Sequence, residues 1–163
     1  MKVREIAELL EESLPLVWQE SYDNAGLAVG NPDAEVQKVL VALDITEEVV
    51  DEAIAVGAEM VVAHHPIIFR PIKQLAWANR QQRAIAKAIT GGVALYAAHT
   101  NLDGAPAEGI SHRLAALLDL REVALLEPSA NEGVGIGVVA LVAIGGVLLI
   151  VRKKKKAGSQ VKE

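Results

Sequence analysis

The chain has 163 residues, 52% hydrophobic and 23% charged, which is one domain's length with enough apolar material for a core and excludes wholesale disorder. It has no cysteine, so a disulfide framework, a thiolate zinc site, an iron–sulfur cluster and a cysteine nucleophile are excluded, and any metal must be held by His, Asp or Glu. Residues 1–151 carry 10 Lys/Arg against 20 Asp/Glu while residues 152–163 carry 6 against 1, and an acidic body of this kind repels phosphate backbones, which argues against a nucleic-acid partner.

Ile6, Leu9, Leu10 and Leu14 recur at three- and four-residue steps, predicting an amphipathic helix over 3–13 that Pro15 helps to end. The N-terminal segment lacks the apolar core of a secretory signal, so a cytoplasmic body is the expectation. A turn-rich loop follows through Ser21, Asp23, Asn24, Gly26, Gly30 and Pro32. Lys38–Leu43 is a short apolar run read as a buried strand, and Thr46 can cap a helix to Val56 that Gly57 closes. Met60–Ala63 is the next strand, Ala76–Ile89 a helix stopped by Gly91-Gly92, and Val93–Ala98 a third strand. Ala107–Leu118 reads as a further helix and Glu122–Leu126 as a fourth strand. Strands separated by helices of this length imply parallel crossovers, so the expected class is α/β, a mostly parallel sheet with helices on both faces.

Ligands in such sheets gather beyond the carboxyl ends of the strands. Asp44 follows the first strand of this set, His64 and His65 the second, and His99, Thr100, Asn101 and Asp103 the third. Imidazole and carboxylate groups brought to one edge suit borderline divalent ions such as zinc, iron(II) or manganese. A lone His at a strand end is more often a solvated loop residue, but two adjacent ones before Pro66 are less ordinary. Adjacent residues leaving a strand point in different directions, so His64 and His65 suit two neighbouring ions better than chelation of one. Asp103 can bridge two ions with its two oxygens. Asp23 and Asn24 can reach the same edge or simply form a turn before Gly26. His112 reads as a helix-surface residue, and Trp18 and Trp77 as lone packing aromatics. Gly133-x-Gly135 lacks the flanks of a phosphate-binding loop.

The stretches SYDNAGLAVG (21–30), VALDIT to EAIAVGAEMVVAHHPIIF (41–69) and YAAHTNLD (96–103) occur in an order that resembles the GTP cyclohydrolase 1 type 2 homologues, the dinuclear-metal-centre hexameric proteins. The resemblance covers about residues 1–128. It implies His64, His65 and Asp103 as metal ligands, His99 as a nearby proton-transfer candidate, two divalent ions and a homohexamer. It also implies a further His and Glu from the family's later part, whereas this chain has no histidine after His112 and only Glu163 as a carboxylate beyond Glu132. The expected activity is metal-dependent hydrolysis of a nucleotide-like or phosphorylated small molecule. The alternative is a non-enzymatic metal-binding or oligomeric interaction module with an incomplete site.

The expected domain organisation is an α/β metal-binding domain over 1–128, a linker over 129–132, a hydrophobic segment over 133–151 and a basic tail over 152–163. Gly133–Val151 is 19 consecutive uncharged residues followed by Arg152 and Lys153–Lys156. At ~1.5 Å per residue it matches the ~30 Å apolar thickness of a bilayer, so the composition predicts a C-terminal membrane helix and hence membrane attachment. A buried strand or hairpin turning at Gly145-Gly146 is the other reading of the same run.

Overall fold

A computed structural model describes residues 1–106 and 109–141. Helix α1 (Val3–Ser13) comes first, followed by a short 3₁₀ turn at Leu16–Trp18. Strand β1 (Gly26–Val29) lies inside what the sequence reads as loop, and β2 (Val39–Ala42) follows it. Helix α2 (Glu47–Val56) starts where its chemistry dictates: the Thr46 side chain accepts from the Val49 amide at 3.2 Å, and Gly57 closes the helix in the left-handed region. Strand β3 (Met60–Ala63) leads through a long loop to α3 (Arg80–Gly91), and β4 (Ala94–Ala97) to the short helix α4 (Thr100–Asp103). Helix α3 begins four residues later than expected because Trp77 holds a positive φ of 58° and Asn79 caps the helix by accepting from the Gln82 amide.

The main sheet has the order β1-β4-β3-β2. Strands β2, β3 and β4 are parallel and in register, and β1 pairs antiparallel with β4, so the sheet is mixed. Gly30 ends β1 at φ 118°, where an added Cβ would stand 2.7 Å from the Ala94 Cα, so only glycine allows this close approach.

Side chains alternate between faces, as the pleat requires. Val61, Ala63 and Leu95 pack against Val50 and Ala53 of α2 and Ala84, Ile85 and Ala88 of α3. Met60, Ala94 and Tyr96 pack on the other face against Val3 and Ala7 of α1. Small core side chains bring the helices close to the sheet, and α2 and α3 are further joined by Arg83–Glu47 at 2.9 Å and Lys87–Asp51 at 2.6 Å.

Helix α5 (Ile110–Leu117) precedes a separate two-stranded antiparallel sheet of β5 (Arg121–Pro128) and β6 (Gly135–Leu141). The expected fourth strand therefore exists as β5 but joins β6, and β1 takes the fourth place in the main sheet. The expected C-terminal hydrophobic helix over 133–151 is overturned. Its first part pairs backbone to backbone with β5 (Val139 opposite Ala124, Ile136 opposite Glu127), using amides and carbonyls that a helix would satisfy internally. No helix among the described residues is long and apolar enough to cross a membrane. The rest of the run, with the Gly145-Gly146 turn and the basic tail, lies outside the described residues. The Gly135 amide donates to the Gly104 carbonyl at 3.1 Å, which ties this hairpin to the end of α4.

Candidate metal centre

Three parallel strands end at one edge, and the polar residues that follow them meet there. The amides of His64 and His65 both donate to the Leu43 carbonyl, at 3.2 and 3.0 Å, locking the exit of β3 to the end of β2. The Ala98 amide bonds to Ala63 at 2.9 Å and carries the chain from β4 into His99. Strand β1 runs the other way, with Gly26 opposite Ala97, so the residues before it arrive at this same edge. That geometry brings Asp23 and Asn24 into the site.

His64, His65 and His99 form a cluster in which one potential ligand atom from each lies within 4.8 Å of the others. Their ring centroids are 4.8 Å apart for His64–His65, 5.2 Å for His64–His99 and 5.6 Å for His65–His99. Adjacent in sequence, His64 and His65 nonetheless converge.

Each ring is held at Nδ1 by a fixed acceptor: His64 by the Ala98 carbonyl at 2.9 Å, His65 by Asp44 Oδ1 at 2.7 Å, and His99 by Asp23 Oδ1 at 2.8 Å. A carbonyl or an ionised carboxylate only accepts, so Nδ1 carries a proton, and in the neutral ring the lone pair is at Nε2. Acceptors behind Nδ1 are the usual support of metal-ligating histidines. Asp103 lies on α4 with Oδ1 3.6 Å from His64 Nε2. Neighbouring donors on one tetrahedral ion with ~2.0–2.1 Å bonds stand ~3.4 Å apart, so this pair is close to ligating separation before any ion enters.

The two carboxylate–imidazole pairs differ in surroundings. Asp23's side chain is fully buried and His99's is 17% exposed, whereas Asp44 and His65 are 57% and 48% exposed. Asp23 Oδ2 accepts from the Thr100 amide at 3.0 Å and from the Thr100 hydroxyl, and its Oδ1 accepts from the Asn24 amide at 2.7 Å. Burial pushes the Asp23 carboxyl upward, but the Thr100 hydroxyl, the His99 ring and the two backbone amides outweigh it and hold the group below the ordinary carboxylate range. The Thr100 hydroxyl in turn accepts from the Glu20 amide at 2.9 Å. Asn101, fully buried, accepts from the His99 amide and donates to the Leu14 carbonyl, which fixes the turn from β4 into α4.

Of the predicted residues, His64, His65 and His99 come together in one cluster; Asp103 lies outside that trio and approaches it at His64 alone, and Asp44 stands behind His65. Asp23 is the residue whose place at the site the sequence left open between ligand edge and turn. Its signal was present in the Asp-Asn pair just ahead of a short apolar run, but only the antiparallel pairing of β1 brings it to the site. Asn24 donates to the Ile68 carbonyl at 2.7 Å and anchors the loop after the paired histidines. His112 sits part-exposed on α5 outside the cluster, and Trp77 is exposed.

A mixed α/β sheet whose strand ends present three tautomer-fixed imidazoles and a carboxylate defines the class: an α/β protein with a donor set suited to a divalent ion. The family model described as Duf34/NIF3 (NGG1p interacting factor 3) matches residues 1–158, and the chain belongs to that family. A protein of Halalkalibacterium halodurans named GTP cyclohydrolase 1 type 2 homolog is 40% identical over 127 residues, covering 78% of this chain and 34% of the relative. A Clostridium perfringens protein of the same name is 35% identical over 138 residues, covering 84% and 52%. Among solved structures, a Bacillus cereus protein related to NIF3 aligns with TM-score 0.73 and 41% identity over 79% of this chain and 36% of its own. Reduced HcgD from Methanocaldococcus jannaschii aligns with TM-score 0.72 and 31% identity over 82% and 52%. The chain spans from about a third to about half the length of the curated relatives it matches.

Proposed function

We propose that this chain binds a divalent metal ion through His64, His65 and Asp103, with His99 beside them, and supports metal-dependent hydrolysis of a nucleotide-like or phosphorylated small molecule. The observation that carries the reading is the common fixing of all three imidazoles at Nδ1, which leaves three Nε2 lone pairs at one rim. Three imidazoles and a carboxylate fit zinc, iron(II) or manganese, and four donors are enough for one tetrahedral ion; a pair of ions draws on further donors. A divalent ion in such a site supplies Lewis acidity toward an oxygen of water or substrate.

The protein's own part is orientation and proton handling. The Ala98 carbonyl holds the His64 ring, and Asp44, half in solvent, orients the His65 ring more loosely. His99 Nε2 can accept a proton while Asp23, on the far side of the ring, stabilises the resulting imidazolium, the division of labour between a base and its orienting carboxylate. A His99→Ala variant separates the two uses of this residue: loss of bound metal marks it as a ligand, and retained metal with lost turnover marks it as the proton acceptor.

A homo-oligomer and a cytoplasmic location belong to the same reading. Exposed Val41 and Leu43 at the β2 edge, and Leu114, Leu117 and Leu118 at the end of α5, are apolar surface that a second copy could cover. The reading is tested by assaying phosphate ester and nucleotide hydrolysis with zinc, iron(II) and manganese. Turnover that needs metal and disappears in His65→Ala is the expected result. Metal binding without turnover for any substrate would leave the non-enzymatic module as the function.

A further inference from the structure

Charge is distributed unevenly within the acidic body. Residues 60–102 contain five cations, Arg70, Lys73, Arg80, Arg83 and Lys87, and not one Asp or Glu. Arg83 and Lys87 are committed to Glu47 and Asp51 of α2, and Arg80 acts on Glu48. Arg70 and Lys73 make no ion pair among the described residues. Both line a cleft of about 700 Å³ together with Phe69, Ile72, Gln81 and Gln82.

This cleft adjoins the histidine cluster. Phe69 and Gln81 also line a second hollow of about 370 Å³ whose wall includes Asp44 and His65. The Phe69 ring stands perpendicular to the His99 ring with centroids 6.1 Å apart. The loop bearing the cations has no regular secondary structure, yet it is braced from three sides. Gln81 donates to the Ile67 carbonyl, Gln82 accepts from the Ala76 and Ala78 amides at 3.0 Å, and Asn24 holds the Ile68 carbonyl. A braced loop presents its cations with less ordering cost on binding.

We infer that this cleft is the anion subsite of the centre: Arg70 and Lys73 hold the phosphate of a small organic phosphate, Phe69 and Ile72 cover its apolar or planar part, and its other end reaches the rim of His65 and His99. Arginine's planar fork suits two phosphate oxygens at once, and lysine adds a point charge. The approach of the far end to the histidines rests on the metal-centre reading; the anion-binding end does not.

The test uses the full chain stripped of metal with chelator, so that it is independent of the centre, and measures binding of AMP by calorimetry at low salt. AMP is expected to bind, adenosine to bind about tenfold or more weakly, and the Arg70→Ala/Lys73→Ala double variant to lose about tenfold or more of the AMP affinity. Lys38→Ala, which removes a cation ahead of β2 at the opposite end of the sheet, is expected to leave it unchanged. Both replaced side chains of the double variant are exposed, and an unaltered unfolding midpoint checks that the fold is kept. Equal binding of AMP and adenosine, undiminished AMP affinity in the double variant, or no AMP binding would each overturn the inference. A chain that binds AMP in this way but takes up no metal would overturn the metal-centre reading instead.

Discussion

The two carboxylate–imidazole pairs at the sheet edge share one chemistry and sit in opposite environments. Asp23–His99 is built from a fully buried carboxylate whose oxygens are saturated by the Thr100 hydroxyl and two backbone amides, while Asp44–His65 lies half in solvent, and among the described residues the Asp44 carboxylate is bound to the ring alone. A buried carboxylate is tolerable only when it is hydrogen-bonded on every side, and that requirement makes the pair rigid. The exposed pair orients its ring weakly, because water competes for both partners. One side of the centre is therefore fixed by the fold, and the other is left adjustable.

The largest expected effect comes from removing the buried partner. Asp23→Ala orphans the Thr100 amide, the Thr100 hydroxyl and the His99 ring together, and should lower stability by about 2–4 kcal/mol in denaturant unfolding. Asp44→Ala should cost less than about 1 kcal/mol in the same experiment. Equal losses would break the contrast. Metal affinity sharpens it: Asp23→Asn should weaken zinc binding about 10–100-fold by misorienting His99, and Asp44→Asn should weaken it less, as read by competition with a chromogenic chelator.

Acid titration gives the next effect. The folded Asp23 carboxyl lies below its unfolded value, so its contribution to stability is fully present above about pH 4 and is lost as pH falls through the folded value. Asp23→Asn should therefore flatten the acid limb of the stability curve, and a curve parallel to that of the parent would contradict the buried assignment. The smallest effect belongs to Glu59, an exposed carboxylate lowered chiefly by the Lys38 and Gln37 amides that it caps at 3.0 Å. Its stabilisation likewise disappears in acid, and Glu59→Ala should shift the unfolding midpoint less than either change at Asp23.

Much of this arrangement was legible where local chemistry decides structure. Thr46 and Gly57 bracket α2, the apolar run Met60–Ala63 forms β3, and three parallel strand ends place Asp44, the paired histidines and the His99–Asp103 segment at one edge. What escaped depends on distant pairing. Gly26–Val29 is four residues among turn formers and becomes a strand only because β4 offers it an edge, and with it Asp23 moves from turn to site. The run after Gly133 has a membrane helix's length and apolarity, and only the partner strand Arg121–Pro128 shows that its first part extends. Periodicity reports how a segment can bury itself, whereas strand pairing depends on what lies beside it.

Metal content per chain, measured on protein purified without a histidine tag or chelator and then reconstituted with zinc, iron(II) or manganese, tests the central claim most directly. The account predicts about one ion per chain or more, held through His64, His65 and Asp103 with His99 beside them, and a fall to background in His64→Ala and in Asp103→Ala. No bound metal after reconstitution, or unchanged content in both variants, would contradict it.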